Sequence, residues 1–511
     1  MRRTSTTFAI FASVWLYLGW IAASRVFLGD NDEGIYMDAA RRILGGQMPY
    51  KDFFTFSGPG SFVLIAASFR MFGLTLAAAR IPVIFDLALM TSCVCWLTWK
   101  LAGRAAAIVA AVAFLSFETL WQGVLANHRW DSSAWMTLAA TLVFFALDQP
   151  TRRSQAACFA AGIAATVAVF CTPTVALAGS ALAACLLAPT LIRRLTEPRP
   201  QGAISLAGQS LLTAYVSGVA LASAVGASWL ASRGALMPMI RGLGWTASNY
   251  TIANHTFYGW ISGGYPHLFQ GTSTPEAVVT AFVLVFITLP ATLPLISSIW
   301  LWKRPPLKIV TLLATGAALL LSSYPRWDLI HLNYVAALFY VLTAALIGKF
   351  RFRKFLVIPV MVVAVCSIEI AARQRWAEPS RATELGMVHG PAADLHAMAM
   401  LEGHIRPADT LFVFPYRPIF YFLTLTRNPT RYSFMQPGMF PESDAKLALE
   451  ELETEPPHWM VFMDIPDSEF LRIWPGSDPN RMRMPGIESF IHRRYRKVDQ
   501  VADFQLLKLA E

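Results

Sequence analysis

The sequence predicts an α-helical membrane protein with about eleven bilayer-crossing segments and a small α/β domain at its C-terminal end. Three observations carry that prediction: an apolar composition, basic clusters that alternate between apolar runs, and a change to polar, strand-like sequence after residue 371. Of the 511 residues 55% are hydrophobic and only 14% are charged, with a mean hydropathy of +0.47. A water-soluble chain of this length needs more polar surface than that. Lipid must therefore replace water around most of the chain.

Apolar runs stand near 8–28, 75–99, 105–120, 132–147, 156–172, 174–192, 205–231, 277–300, 309–323, 331–348 and 355–371. Arg2 and Arg3 ahead of the first run resemble the start of a signal peptide. The run exceeds the usual apolar core of about 7–15 residues, however, so it reads as an uncleaved span. With the N-terminus in the cytoplasm, five basic clusters fall on the cytoplasmic side: Lys100 with Arg104, Arg152 with Arg153, Arg193 to Arg199, Lys303 to Lys308, and Lys349 to Lys354. This is what the positive-inside rule requires. The net charge of +10 is thus a topology signal, and no nucleic-acid partner is expected. The six cysteines lie inside apolar runs and read as small buried hydrophobes rather than disulfides or metal ligands.

The same alternation puts the polar stretches on the outer face. They are 29–74, Trp121 to Trp135, Arg233 to Glu276, Ser322 to Leu332, and the tail 372–511. The tail has strand-like runs at 410–414, 458–464 and 504–509 and a helical pattern at 443–453, which predicts a small α/β domain beside the membrane domain 1–371.

The first outer loop, 29–74, crowds Asp30, Asp32, Glu33 and Asp38 against the end of the first span. Ile35, Tyr36, Ala39, Ala40, Ile43 and Leu44 recur at helical spacing while Asp38, Arg41 and Arg42 take the other face, so an amphipathic helix lying in the interface is expected. The apolar run Ser61 to Phe72 is too short to cross and predicts a second interfacial or re-entrant helix. A helix dipole favours one acid at its start, not four. Crowded, partly desolvated carboxylates point to function.

The second outer segment holds His128, Arg129 and Asp131 between Trp121, Trp130 and Trp135, tryptophans that suggest an interfacial belt. The third packs Arg326, Asp328 and His331 into six residues. Either that trio is a structural salt bridge, or the planar fork of Arg326 and the imidazole of His331 anchor a phosphate.

Asp32-Glu33-Gly-x-Tyr36, followed by Gly46-x-x-Pro49-Tyr50-x-Asp52-Phe53 and Gly58-Pro59, in the first outer loop of a chain with so many spans, resembles the GT-C superfamily of membrane glycosyltransferases. It is similar to the branch of protein O-mannosyltransferases and the lipid A aminoarabinose transferase. Tyr324-Pro325-Arg326 with Asp328 and His331 resembles a loop of bacterial members. The resemblance implies an inverting transferase that takes a sugar from a polyprenyl-phosphate donor to a hydroxyl of a glycan, lipid or protein. It implies Asp32 and Glu33 as the catalytic pair with Asp32 as base, and Asp131 or Asp52 as a second, acceptor-side carboxylate. Arg326, His331 and Arg129 are then the candidates for the donor phosphate. No cofactor is required, but Asp30-Asn31-Asp32 also spells the Asp-x-Asp that oligosaccharyl relatives place around a divalent cation, and Mg²⁺ or Mn²⁺ would suit its oxygen ligands. The bacterial character of the resemblance implies a cytoplasmic (inner) membrane location with the C-terminal domain outside.

Two other classes compete. A secondary transporter or flippase would make Asp86, in the middle of the second span, the essential acid; Arg80 nearby is the expected structural partner for it. A membrane scaffold presenting its tail would need neither Asp86 nor Asp32.

Overall fold

The computed structural model describes residues 26–27, 31–122, 124–147, 151–196, 202–262, 264–288, 296, 305–348 and 353–510. The first span expected over 8–28, save its last strand-like residues, and Asp30 lie outside the described residues.

The apolar runs become a helical bundle. Its long helices are Leu76–Ala102, Arg104–Gln122, His128–Ala146, Arg152–Cys171, Ala176–Thr196, Gly202–Ser232, Leu307–Ser322, Ala337–Ile347 and Arg353–Ala377, with Thr274–Ile287 beside them. Among the described residues, Leu76–Ala102, Arg152–Cys171 and Ser210–Ser232 are long and apolar enough to cross a membrane on length and composition alone. Local signals set the ends. The Thr75 hydroxyl accepts the amide of Ala78 and Gly103, at φ +90°, closes the first of these helices. Between the helices lies a continuous apolar core that includes Phe114, Phe117, Trp130 and Phe339. Trp130, expected in an interfacial belt, is fully buried against Tyr334 at 4.8 Å. The five cysteines 93, 95, 158, 171 and 185 are buried and unpaired, as their apolar surroundings suggested.

One expected span divides. In place of a single helix over 331–348 there is a short helix Leu329–Tyr334, capped by the Asp328 carboxylate on the amide of His331, and then Ala337–Ile347. The tight hydrogen bonds of Val335 to Leu332 and Ala336 to Asn333 end the first helix and turn the chain.

The first-loop helix is present over Asn31–Leu44, with Asp32 and Glu33 in its first turn and Arg41 and Arg42 in its last, complementing the dipole. Its environment differs from the expectation. Its polar face is largely covered by the C-terminal domain, because Asp38 is buried and the half-buried Arg41 and Arg42 donate to the carbonyls of Thr426 and Thr430. One side packs on helix Gly60–Phe72 and the other on helix Ile419–Leu423. The Gly58-Pro59-Gly60 turn that follows is squeezed against the end of Arg152–Cys171: a Cβ on Gly58 would stand 2.0 Å from the carbonyl oxygen of Phe170.

After Arg353–Ala377 come two small sheets. Strands β2 (Ser380–Thr383) and β3 (Gly386–His389) form a hairpin, and β1 (Val26–Phe27) pairs in parallel with β3, tying the chain before the first loop to the C-terminal domain. Strands β4 (Leu411–Phe414), β5 (Trp459–Met463), β6 (Tyr495–Val501) and β7 (Phe504–Leu509) form a sheet of order β4-β5-β7-β6, with β4 and β5 parallel and the other pairs antiparallel. Helix Glu442–Thr454 stands where the sequence placed one.

The docking of helix Asn31–Leu44 on Ile419–Leu423 depends on Gly34, where a Cβ would meet the backbone nitrogen of Ile419 at 2.1 Å. Backbone does not yield as a side-chain tip does. We expect Gly34→Ala to lower stability by about 1–3 kcal/mol, the range for overpacking, seen as a lower thermal midpoint in detergent. An unchanged midpoint would show that the two helices are not in contact.

Candidate active site

Asp32 sits half-buried in the first turn of Asn31–Leu44. Tyr36, one turn on, is buried and stacks on the His128 imidazole with ring centroids 5.7 Å apart. His128 is held by Thr172, whose hydroxyl lies 2.7 Å from Nδ1. The next residue is Arg129, placed by the Asn127 cap at the start of helix His128–Ala146. Its guanidinium donates through Nη1 to the carbonyl of Ser322 at 3.2 Å, and its Nε is buried with no hydrogen-bond partner. A buried guanidinium with an unused donor is suited to an anionic guest.

Arg326, Asp328 and His331 close the opposite side. Asp328 receives Arg326 Nε at 2.7 Å on one oxygen, and the ring Nδ1 of His331 at 2.7 Å together with its amide at 2.9 Å on the other. The loop 254–260 is stitched to this segment: Thr256 donates to the Pro325 carbonyl, Gly259 to that of Trp327, and Leu329 to that of Trp260. Burial alone would raise the pKa of Asp328, but His331, Arg326 and the donated amide hold its carboxyl well below the usual carboxylate range. The negative charge of Asp328 is therefore lost only when pH falls through that depressed value. Asp328 is the anchor, and Arg326 and His331 are the arms it orients.

These pieces face one another. Arg326 and Tyr250 both lie within electrostatic reach of Asp32, and Tyr36 within reach of Asp32, Arg129, Tyr250 and Tyr334. Burial pushes the phenols of Tyr36 and Tyr250 up, so both remain neutral hydrogen-bonding groups. Of the residues singled out in the sequence, Asp32, Arg129, Arg326 and His331 thus share one site. Beside it, the loop after Asn31–Leu44 and helix Leu236–Trp245 border a cavity of 360 Å³ lined by Tyr50, Lys51, Phe54, Arg241, Trp245 and Arg431.

Three other candidates sit elsewhere. Glu33 turns inward, where Arg80 binds it bidentately at 2.9 and 2.8 Å and the amide of Ala126 adds a bond at 2.9 Å. Arg80 is therefore the partner of Glu33, not of Asp86 as the spacing suggested. Asp86 instead lies within electrostatic reach of Asp131, and its Oδ2 and the Ser61 hydroxyl are buried with no hydrogen-bond partner among the described residues. Asp131 is thus engaged by the bundle interior and not by Asp32. Asp52 accepts the amide of Met48 at 2.7 Å and shapes the 48–53 turn, in which Tyr50 takes a φ of +67°.

Sequence reasoning missed Tyr250, Tyr334 and Tyr416. The last comes from the turn after β4, and its hydroxyl donates to Asp32 Oδ1. A tyrosine-rich outer loop was a weak pointer to Tyr250; nothing in the sequence pointed to Tyr416. Among the described residues, no three His, Cys, Asp or Glu side chains converge as a metal site would require.

No protein-family model and no curated protein sequence matches the chain. Solved structures do. ArnT from Cupriavidus metallidurans in the apo state aligns with a TM-score of 0.57 at 12% identity, covering 99% of this chain and 98% of that one. The same protein bound to undecaprenyl phosphate aligns at 0.55 and 12%, covering 98% and 97%. The apo oligosaccharyltransferase of Archaeoglobus fulgidus aligns at 0.52 and 12%, covering 96% of this chain and 74% of that one. Likeness at this level of identity speaks to architecture, and it runs through both the bundle and the C-terminal domain: the chain is a multi-pass membrane protein that shares the overall fold of these structures.

Proposed function

We propose that the chain is an inverting glycosyltransferase that moves a sugar from a polyprenyl-phosphate donor to a hydroxyl acceptor at the outer face of a bacterial inner membrane. The observation that carries this reading is the convergence of one carboxylate, Asp32, with the guanidinium of Arg326 and, across Tyr36, that of Arg129. The ArnT structure of the same fold that is bound to undecaprenyl phosphate supports the donor class.

The chemistry suits those residues. A phosphate is a good leaving group, so the sugar–phosphate bond needs no strong general acid. The acceptor oxygen attacks the anomeric carbon from the face opposite the phosphate. That bond forms as the carbon–oxygen bond to phosphate breaks, and the electron pair stays on the phosphate. Asp32 takes the hydroxyl proton. Arg326 and Arg129, with His331, stabilise the charge that gathers on the departing phosphate. Glu33 on this reading holds the helix that presents Asp32. The cavity beside Trp245 is the approach for a glycan, lipid or protein acceptor. Of the Asp30 and Asp32 pair proposed for a cation, Asp30 lies outside the described residues. The positive-inside count supports a cytoplasmic N-terminus and an outer C-terminal domain.

The test is transfer of label from a panel of polyprenyl-phosphate sugars by the purified protein in lipid, with a membrane extract as acceptor. Wild type should transfer from at least one donor. In Arg326→Ala the donor KM should rise about ten- to a hundredfold, as for loss of a charge-assisted hydrogen bond. A wild type that transfers from no donor in a broad panel would overturn the reading.

A further inference from the structure

Tyr416 lies 384 positions from Asp32 in sequence and belongs to the C-terminal domain, yet its phenol donates to the Asp32 carboxylate. The ring is only 5% exposed and is wedged edge-on between Phe434, 5.5 Å away, and Trp474, 5.3 Å away. Its backbone neighbour Arg417 is tied to Asp394 at 2.6 Å, with its guanidinium over the Phe504 ring. The helix that begins at Ile419 is pressed onto Gly34, two residues from Asp32. Ring, flanking residue and following helix are all fixed, so the hydroxyl is delivered to one place.

We propose that Tyr416 is a positioning residue for Asp32, and that the C-terminal domain completes the active site through it. An aspartate in the first turn of a helix can rotate about two side-chain bonds. A donor held on Oδ1 sets the plane of the carboxylate and with it the lone pairs of Oδ2 that meet an incoming hydroxyl. Among the described residues, ionisable groups within electrostatic reach of Asp32 include Tyr36 on its own helix, Tyr250 after the Leu236–Trp245 helix, and Arg326 in the loop before Leu329. All of them remain when Tyr416 is changed. The inference rests on the transferase reading for its consequence but not for its geometry.

Tyr416→Phe keeps the ring in its packing and removes only the donor. In the full-length protein in lipid, the variant should keep its thermal midpoint and its donor KM, while kcat falls about tenfold. A second readout is independent of activity. Modification of Asp32 by a water-soluble carbodiimide, followed by peptide mass spectrometry, should speed up about tenfold once the phenol no longer occupies Oδ1. If wild type proves inactive, the transferase reading fails and the modification rate still decides whether Tyr416 controls Asp32. An unchanged modification rate, or an unchanged kcat in an active enzyme, would overturn the proposal.

Discussion

Asp32→Asn is expected to abolish turnover while leaving a folded protein that still binds its donor. The fall in transfer rate should lie between about a hundredfold and ten thousandfold, the contribution of a positioned general base. The substitution is nearly isosteric, and an amide oxygen can still accept from the Tyr416 hydroxyl that Asp32 Oδ1 engages, so the side chain keeps its place and loses only basicity. On the proposed reading donor binding falls to Arg326, Arg129 and His331, none of which hydrogen-bonds Asp32 in the contacts that orient them. The measurement is single-turnover transfer from the preferred labelled donor, with donor affinity followed separately. Full activity in the variant would remove Asp32 from the chemistry. A loss of donor binding equal to the loss of rate would assign it to the binding of the ground state instead.

Much of this architecture was legible in the sequence, for a physical reason. Hydropathy reports transfer of a segment between media, and helices that must satisfy their backbone in lipid follow it closely, so the runs near 75–99, 156–172 and 309–323 each became a helix. The strands at 411–414, 459–463 and 504–509 were equally visible. Hydropathy does not say which neighbour covers a face. Asp38, Arg41 and Arg42 made a polar stripe that suggested headgroups, whereas the stripe serves the carbonyls of Thr426 and Thr430 in the C-terminal domain. Charge pairing was hidden for a related reason. Arg80 and Asp86 are near in sequence and lie in one helix, but the pair that forms joins Arg80 to Glu33 across 47 positions. Spacing along a helix reports only contacts within it, and the partners here come from the packing of separate helices. The site motif survived this limit because Asp32, Arg129, Arg326 and His331 each stand at the end of a helix or in the loop beside one, where side chains from different elements can meet.

The second large effect is expected at Arg80. Its side chain and that of Glu33 are each 2% exposed, and they pair through two parallel hydrogen bonds. Arg80→Ala would leave the Glu33 carboxylate buried with only the Ala126 amide for support, and breaking one side of a buried ion pair costs about 3–5 kcal/mol. Denaturation in detergent should show that loss, and transfer should fall with it, because Glu33 anchors the turn that carries Asp32. The double variant Arg80→Met with Glu33→Gln removes both charges, approximates the volumes, and keeps an oxygen for the Ala126 amide. It should recover most of the stability, giving a large coupling energy in the double-mutant cycle. The same protein separates two roles for Glu33. If the pair only positions the helix, activity returns with stability. If stability returns and transfer does not, the Glu33 carboxylate takes part in the reaction itself, and the acidic pair acts as two chemical groups rather than as one base and its tether.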